Sequence, residues 1–147
     1  MPDIATLPPA TRFIVWADES AALGVAFGEP LRARITNGIA TLRLGPGEWL
    51  LLAPANWRPP RISPTMIDVS HRQIALEVSG PGADDTINAH CALDLHPSAF
   101  PVGMCTRTVF AKTEIVLWRT GTDTFRIEVA RSCAPYVRAC LDLAAPP

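Results

Sequence analysis

The stretch 66–91 constrains the fold more than any other part of this sequence, because a Gly-Pro-Gly at 80–82 divides it into strand-like and helix-like parts. Before the break, 66–70 and 73–78 are predicted strands. In the second of them, apolar and polar residues alternate with the period of a half-buried strand. Glycine accepts positive φ, and proline fixes φ while lacking an N–H donor, so strand pairing stops at the break.

The sequence after the break has helical spacing. Ala83, Ile87 and Cys91 recur every fourth residue, whereas Asp84 and Asp85 face away from them. Acidic residues in the first turn of a helix interact favourably with its dipole. We therefore predict a short helix that begins directly after the Gly-Pro-Gly.

A polar cluster at 68–72 contains an acid, a hydroxyl and an imidazole, the side chains of a catalytic triad. On an extended backbone, Asp68 and Ser70 lie on one face and His71 lies on the other. A nucleophile must lie within hydrogen-bonding distance of its base, so this spacing disfavours catalysis. We interpret the cluster as polar residues that close a turn between the two strands.

Charge and hydropathy exclude several classes of function. The net charge is −1 with no run of basic residues, so the chain lacks the positive surface of a nucleic-acid-binding protein. No apolar run approaches the roughly 20 residues of a membrane span, and the first residues lack the features of a signal peptide. Only 18% of the residues are charged, which hints at a surface covered by a partner. We expect a cytoplasmic protein that binds neither nucleic acid nor a membrane, and whose apolar surface favours self-association when it is isolated.

The cysteines and histidines form no recognisable disulfide or metal pattern. No C-x-x-C pair is present, and buried, reduced thiols are usual in a cytoplasmic chain. Cys133 and Cys140 would lie roughly 10 Å apart along one helix, which is too far for a disulfide. His71, His90 and His96 are not spaced as zinc ligands. We therefore expect no metal site.

The first part of the chain is predicted to form a strand, a short helix and a β-hairpin. Its segments are a β-branched strand at 11–17, a helix capped by Asp18 that runs to about residue 23, and strands at 39–44 and 48–52. Between the last two strands, Pro46-Gly47 suits the central positions of a type II turn and indicates a hairpin. Trp49 is interpreted as a core aromatic residue.

A proline-rich segment at 54–64 separates this part from the rest. Four prolines in eleven residues forbid a helix and favour an extended connector. After 66–91, the sequence predicts an irregular loop at 92–103, strands at 106–110, 114–118 and 125–129, and a closing helix capped by Ser132 with Pro135 in its first turn.

The order of these elements predicts the fold class. We expect an α+β fold made of two helix-and-strand halves, with a mostly antiparallel sheet and the helices packed on one side. The halves, at about 11–53 and 66–144, are expected to form a single domain over 1–147.

Several blocks of the sequence follow one another in a recognisable order. They are 44–51 (LGPGEWLL), 68–73 (DVSHRQ), 93–97 (LDLHP), 100–103 (FPVG), 105–108 (CTRT), Lys112, Glu114, 116–119 (VLWR) and Phe125. Together they resemble the gamma subunit of heterotetrameric sarcosine oxidase, and the similarity runs from about residue 13 to residue 143. More distantly, 68–71 followed by a Gly-Pro turn resembles the folate-binding aminomethyltransferase superfamily, and this implies its folate-binding-domain fold.

The resemblance implies a role in a complex that oxidises the N-methyl group of sarcosine. The products are glycine and hydrogen peroxide, and the one-carbon unit passes to tetrahydrofolate. FAD, FMN, NAD and tetrahydrofolate are then expected on other subunits, and the alpha, beta and delta subunits are the expected partners. The family offers no catalytic residue to carry over, so the implied role of this chain is structural, with no cofactor of its own.

Two departures from the related families bear on function. The connector 54–64 is shorter than in the family, where a helix often lies between the halves, so some apolar sheet surface is expected to be less covered. Relatives of glycine-cleavage T-protein carry an acidic, glycine-rich loop after the strand that matches 106–110, whereas this chain reads Ala-Lys-Thr-Glu at 111–114. We therefore expect the catalytic acid of those enzymes to be absent and Glu114 to be a strand residue.

Two alternatives remain open from the sequence: a stand-alone folate-binding or aminomethyltransferase-like one-carbon protein, and a scaffold protein that has lost the complex. The first requires a positioned acid near a folate amine, which 111–114 does not offer. The short connector favours the second. The residues expected at a partner interface are His71, Arg72 and Arg107, which alternate out of the strands, and His96 in its loop. Capping of turns or surface ion pairing would equally explain them.

Overall fold

The computed structural model describes residues 1–18, 23–61 and 64–147. Its elements, in chain order, are β1 (Asp3–Thr6), β2 (Thr11–Trp16), β3 (Ala33–Thr36), β4 (Ile39–Gly45), β5 (Glu48–Ala53), β6 (Thr65–Asp68), β7 (Gln73–Ser79), α1 (Ala83–Asn88), β8 (Cys105–Phe110), β9 (Thr113–Gly121), β10 (Thr124–Ala130) and α2 (Ala134–Ala144). The helix predicted to follow Asp18 falls mainly on 19–22, outside the described residues. The chain divides into two compact units, Pro9–His71 (the first unit) and Met1–Pro8 with Arg72–Pro147 (the second unit).

The first unit is built on a five-stranded antiparallel sheet with the strand order β3-β4-β5-β2-β6. The predicted hairpin is confirmed: β4 pairs with β5, and Gly47 has a φ of 66°, the positive value that a Pro-Gly turn requires. Trp49 is fully buried, as predicted for a core aromatic residue. Val15, Ile39, Trp49, Leu51 and Ala53 of this sheet form a core cluster with Leu23, which lies between β2 and β3.

A second hairpin in this unit, formed by β3 and β4, was not predicted. Thr36 pairs with Ile39, and the two residues between them, Asn37 and Gly38, have φ values of 50° and 78°. Positive φ at both central positions is the type I′ geometry, and Asn-Gly is its strongest sequence signal. The dipeptide was therefore visible in the sequence as a marker for the missed strand.

The connector after β5 contains no helix over its described residues, as predicted. Trp57 packs edge-on against Phe13 of β2, with ring centroids 5.9 Å apart and an interplanar angle of 75°. Both side chains are half-buried against the core of the first unit. The connector thus covers part of the apolar sheet face with an aromatic ring.

The second unit is built on another five-stranded antiparallel sheet, ordered β1-β7-β10-β9-β8, with both helices packed on one face. Alternate residues of the strands and the apolar sides of the helices form one core. Its largest fully buried members are Leu76, Ile87, Leu95, Phe100, Phe110, Ile115, Leu117 and Phe125. The predicted α+β class, with mostly antiparallel strands and helices on one side, is confirmed by this arrangement.

The predicted turn between the strands at 66–70 and 73–78 is present at 70–72, but the two strands do not pair with each other. β6 pairs with β2 of the first unit, whereas β7 pairs with β1 and β10 of the second. Two short strands separated by turn residues look like a hairpin locally, but partners elsewhere in the chain decide the pairing. The segment 69–72 therefore links two sheets, and His71 and Arg72 lie in this link rather than within a strand.

The residue predicted to cap the closing helix, Ser132, lies one position before the observed N-cap, Cys133. α2 begins after Cys133, and no side chain caps it, so Ser132 does not play the expected role. The backbone makes the turn instead, since Cys133 N donates to Ala130 O at 2.9 Å. Pro135 lies in the first turn, as predicted, and Val137 and Leu141 are buried. Within the described ranges, no helix is long and apolar enough to cross a bilayer.

Candidate functional site

The polar cluster at the end of β6 ties that strand to β2. Ser70 N donates to Asp68 Oδ1 at 2.9 Å. Arg12 N donates to Ser70 Oγ at 2.8 Å, and Ser70 Oγ in turn lies 3.3 Å from Arg12 O. The backbone of Arg12 therefore holds the Ser70 hydroxyl in place. These hydrogen bonds join the end of β6 to β2, and they do not activate the hydroxyl as a nucleophile.

The charge on Asp68 is stabilised locally. Hydrogen bonds from the side chain and the backbone N–H of Ser70 lower the pKa of Asp68, and the positive charges of His71 and Arg58 add to this effect. A carboxylate of this kind stays ionised and accepts hydrogen bonds. It is unsuited to hold a proton as a general acid near neutral pH.

Glu114 lies at the surface in β9, as predicted for a strand residue. Its carboxylate is paired with Arg107 of β8, with 3.3 Å between Nε and Oε1 and with 70% of the Glu114 side chain exposed. Both residues point to the same face of the sheet, because Arg107 opposes Val116 in the register. An exposed, paired carboxylate cannot replace the buried acid of an aminomethyltransferase.

A buried polar side chain of the second unit with several hydrogen bonds is Arg119, which the sequence singles out only within the block 116–119. It is only 2% exposed, and its guanidinium donates to three backbone carbonyls. Nη1 reaches Leu95 O at 2.9 Å and Phe100 O at 2.8 Å, while Nε and Nη2 reach Thr122 O at 3.1 and 2.6 Å. The group also stacks 4.8 Å from the ring centroid of Phe125.

The loop that Arg119 holds contains His96, one of the expected interface residues. His96 N donates to Asp94 Oδ1 at 2.9 Å. The ring nitrogen Nδ1 lies 2.7 Å from Ser98 Oγ and accepts from Ser98 N at 3.2 Å. These short-range bonds orient the imidazole on an otherwise irregular and exposed segment.

The four expected interface residues lie on three separate segments. His71 and Arg72 lie in the link between β6 and β7, Arg107 lies in β8, and His96 lies in the loop before it. The backbone of Arg72 is hydrogen-bonded to the segment after β10, where Arg131 N donates to Arg72 O at 2.9 Å.

Metal ligation finds no support in the geometry. Over 1–18, 23–61 and 64–147, no three His, Cys, Asp or Glu residues are grouped as metal ligands would be. Cys91, Cys105, Cys133 and Cys140 are reduced thiols that form no disulfide.

Comparison with known sequences identifies relatives. A model of the sarcosine oxidase, gamma subunit family matches residues 61–146. The sarcosine oxidase subunit gamma of Corynebacterium sp. (strain P-1) is 34% identical over 121 residues, and that of Arthrobacter sp. is 33% identical over 125 residues. Each alignment covers 73% of this chain and 60% of the relative, so the chain spans about 60% of the length of the curated relatives it matches.

Comparison with solved structures agrees with the sequences. A chain of the heterotetrameric sarcosine oxidase from Corynebacterium sp. U-96, solved in complex with pyrrole 2-carboxylate, has a TM-score of 0.84 at 25% identity. The match covers 97% of this chain and 83% of that one. The glycine cleavage system aminomethyltransferase T from Bartonella henselae matches with a TM-score of 0.70 at 16% identity, over 95% of this chain and 45% of that one. The second match shows the fold alone, and it confirms the aminomethyltransferase-like fold expected from the sequence. Together with the curated relatives, these matches show that the chain belongs to the sarcosine oxidase gamma subunit family.

Proposed function

We propose that this chain is the gamma subunit of a heterotetrameric sarcosine oxidase and that its contribution is structural. The observation that carries the proposal is the similarity, at a TM-score of 0.84, between 97% of this chain and a chain of a heterotetrameric sarcosine oxidase. The complex would oxidatively demethylate sarcosine to glycine and transfer the one-carbon unit to tetrahydrofolate. This chain matches only about 60% of the length of its curated relatives, so we propose the activity of the whole complex and do not infer it from the similarity alone.

The absence of a catalytic role for this chain rests on two contacts. The hydroxyl of Ser70 is bound to the backbone of Arg12, and the carboxylate of Glu114 is bound at the surface to Arg107. Neither pair provides the buried, positioned acid or base that one-carbon transfer to folate requires. The chemistry then belongs to the other subunits, and we propose that FAD, FMN, NAD and tetrahydrofolate are bound there.

The partners are the alpha, beta and delta subunits, in the cytoplasm, and the two units of this chain act as a single gamma-subunit domain over 1–147. His71, Arg72, His96 and Arg107 are the proposed contacts. Arg72 and His96 are exposed; the link that carries Arg72 joins β6 to β7, and the loop that carries His96 joins α1 to β8.

Co-expression with the alpha, beta and delta subunits tests the proposal. We expect a stoichiometric complex on size exclusion, and a sarcosine-dependent peroxide yield that drops when this chain is omitted. If the chain elutes alone while the other subunits are active without it, the proposal is wrong and a scaffold protein that has lost the complex becomes the better interpretation. If the isolated chain binds tetrahydrofolate in a titration, the one-carbon alternative gains support.

The substitution Arg72→Glu is expected to weaken assembly without unfolding the chain. The side chain is exposed, so charge reversal should change the free energy of unfolding by less than about 0.5 kcal/mol. At a contact with a partner, the same reversal turns attraction into repulsion and should raise the Kd of assembly about tenfold or more. Thermal unfolding and size exclusion of the same preparation measure both quantities. Assembly at the wild-type Kd with unchanged melting would remove Arg72 from the interface.

A further inference from the structure

We infer that the segment 1–8 is exchanged between two copies of this chain when the chain is isolated, so that β1 of one copy pairs with β7 of the other. The partner is a second copy of the chain, and the surface that it occupies is the edge of β7. The inference goes beyond the proposed function, since it concerns the chain without other subunits. Residues 1–8 are called the exchange segment below.

The edge of β7 shows what fits it, because β1 occupies it within one copy. Residues 3–6 of β1 oppose residues 76–79 of β7 in antiparallel register. Beyond the strand, Leu7 N donates to Ala75 O at 2.9 Å. The hydrogen bonds and the register of an antiparallel pair do not depend on which copy supplies the strand. A second copy therefore offers the edge of β7 a strand of the same fit.

The exchange segment is remote in sequence from the rest of its unit. The second unit consists of Met1–Pro8 and Arg72–Pro147, and the whole first unit, Pro9–His71, lies between these two pieces in the sequence. The first unit has a sheet and a core cluster of its own. The exchange segment can therefore leave β7 without breaking any strand pairing of the first unit.

The hold on β1 is lighter than that on β6, another edge strand of four residues. At the end of β6, Arg12 N donates to Ser70 Oγ at 2.8 Å and Val69 N donates to Arg12 O at 2.9 Å. In the exchange segment, the buried side chains are those of Pro2 and Ile4. Two side chains are a small part of the core of the second unit, so release of β1 costs much less free energy than unfolding of the unit.

The hinge between the exchange segment and β2 contains two prolines. Pro8 and Pro9 are both exposed, and the boundary between the two units falls between them. Proline fixes its own φ and restricts the residue before it to extended conformations. The hinge therefore holds a released β1 extended, which is the conformation in which the strand pairs with β7 of another copy.

Exchange depends on the concentration of the protein. A short connection gives β1 an effective concentration on the order of 1 mM at its own sheet, so a second copy competes as the total concentration approaches this value. Reciprocal exchange closes the dimer, because each copy then gives one strand and receives one. We expect the dimer fraction of the wild-type chain to rise about threefold or more between about 0.1 and about 1 mM on size exclusion.

A disulfide between β1 and β7 reports which copy supplies the strand. Ala5 and Glu77 are register partners and are both half-buried. The Cα atoms of opposed residues in an antiparallel pair lie about 4.5–5.5 Å apart, which a disulfide can span. The full-length variant Ala5→Cys/Glu77→Cys is prepared in isotopically light and heavy forms, which are mixed while reduced and then oxidised. Mass spectrometry identifies this link, apart from links through the native cysteines, as a light–light, heavy–heavy or mixed peptide.

The mixed peptide forms only between copies, and we expect its yield to rise with concentration as the dimer fraction does. Random collision is measured with a mixture of the single variants Ala5→Cys and Arg138→Cys, because Arg138 lies on the exposed side of α2. A mixed peptide no more abundant than the link in this control would overturn the inference. If the double variant does not fold, Asp3→Cys/Ser79→Cys repeats the measurement at another register pair.

Locking β1 in place provides the second test. The variant Ala5→Cys/Glu77→Cys, oxidised at about 10 µM so that its link forms within one copy, should stay monomeric when it is concentrated to about 1 mM. Reduction of the link should restore the dimer. A locked variant that dimerises as much as the wild type would place the contact on another surface, and the inference would be wrong. Neither test involves the other subunits, so the proposed function stands or falls separately.

Discussion

Replacing Arg119 by methionine is expected to lower the free energy of unfolding by about 3 kcal/mol. Methionine has a comparable length and no donors, so the carbonyls of Leu95, Phe100 and Thr122 would lose the hydrogen bonds that the guanidinium provides. Each buried acceptor left without a donor costs about 1–3 kcal/mol, and the loss of the buried charge offsets part of this. The stacking on Phe125 would also be lost.

Urea unfolding followed by circular dichroism measures the effect. Arg138→Met on α2 is the matched control, because Arg138 makes a surface ion pair with Asp142 and should change stability by less than about 1 kcal/mol. Arg119→Lys should fall between the two, since one ammonium cannot reach all three carbonyls in the fork geometry of arginine. A loss below about 1 kcal/mol for Arg119→Met would show that the carbonyls find other donors.

The parts of the fold that follow from local chemistry could be predicted. The alternation at 73–78 and 125–129, the Pro46-Gly47 turn and the break at 80–82 each act within a few residues, and the structure has a strand or turn at each. β1 shows the opposite case, because its only buried residue is Ile4 and its partner Val78 is far along the chain. No local pattern distinguishes a four-residue edge strand of this kind from a loop.

The candidate site was predictable only in part, for a related reason. His96 could be named from its type, but its bonds to Asp94 and Ser98 depend on the conformation of an irregular loop. Arg119 did leave a signal, since Ile115 and Leu117 precede it at a spacing of two and a charge continues their buried row. Two of its three acceptors, the carbonyls of Leu95 and Phe100, are distant in sequence and could not be derived from that spacing.

The other large effect is expected in the first unit. Trp49→Ala should lower the free energy of unfolding by about 4 kcal/mol, because it removes a fully buried indole from the core around Val15 and Leu51 and leaves a cavity. The ring packs against Phe27, with centroids 4.4 Å apart, and Nε1 donates to Ala17 O at 3.2 Å. The substitution therefore also removes this hydrogen bond.

Trp16→Ala is the matched control, since it makes the same chemical change on the neighbouring strand of the same sheet. Trp16 is 43% exposed, so its removal should cost about 1 kcal/mol and create no closed cavity. Because both variants replace tryptophan by alanine, the difference between their losses of unfolding free energy reports the effect of burial. Urea unfolding of both variants and of the wild type measures it. Equal losses would mean that the interior around Trp49 collapses to fill the space, and the indole would then not be the element around which the first unit packs. If Trp16→Ala instead leaves stability unchanged but weakens assembly with the other subunits, its exposed indole belongs to the partner surface, as exposed tryptophans often do.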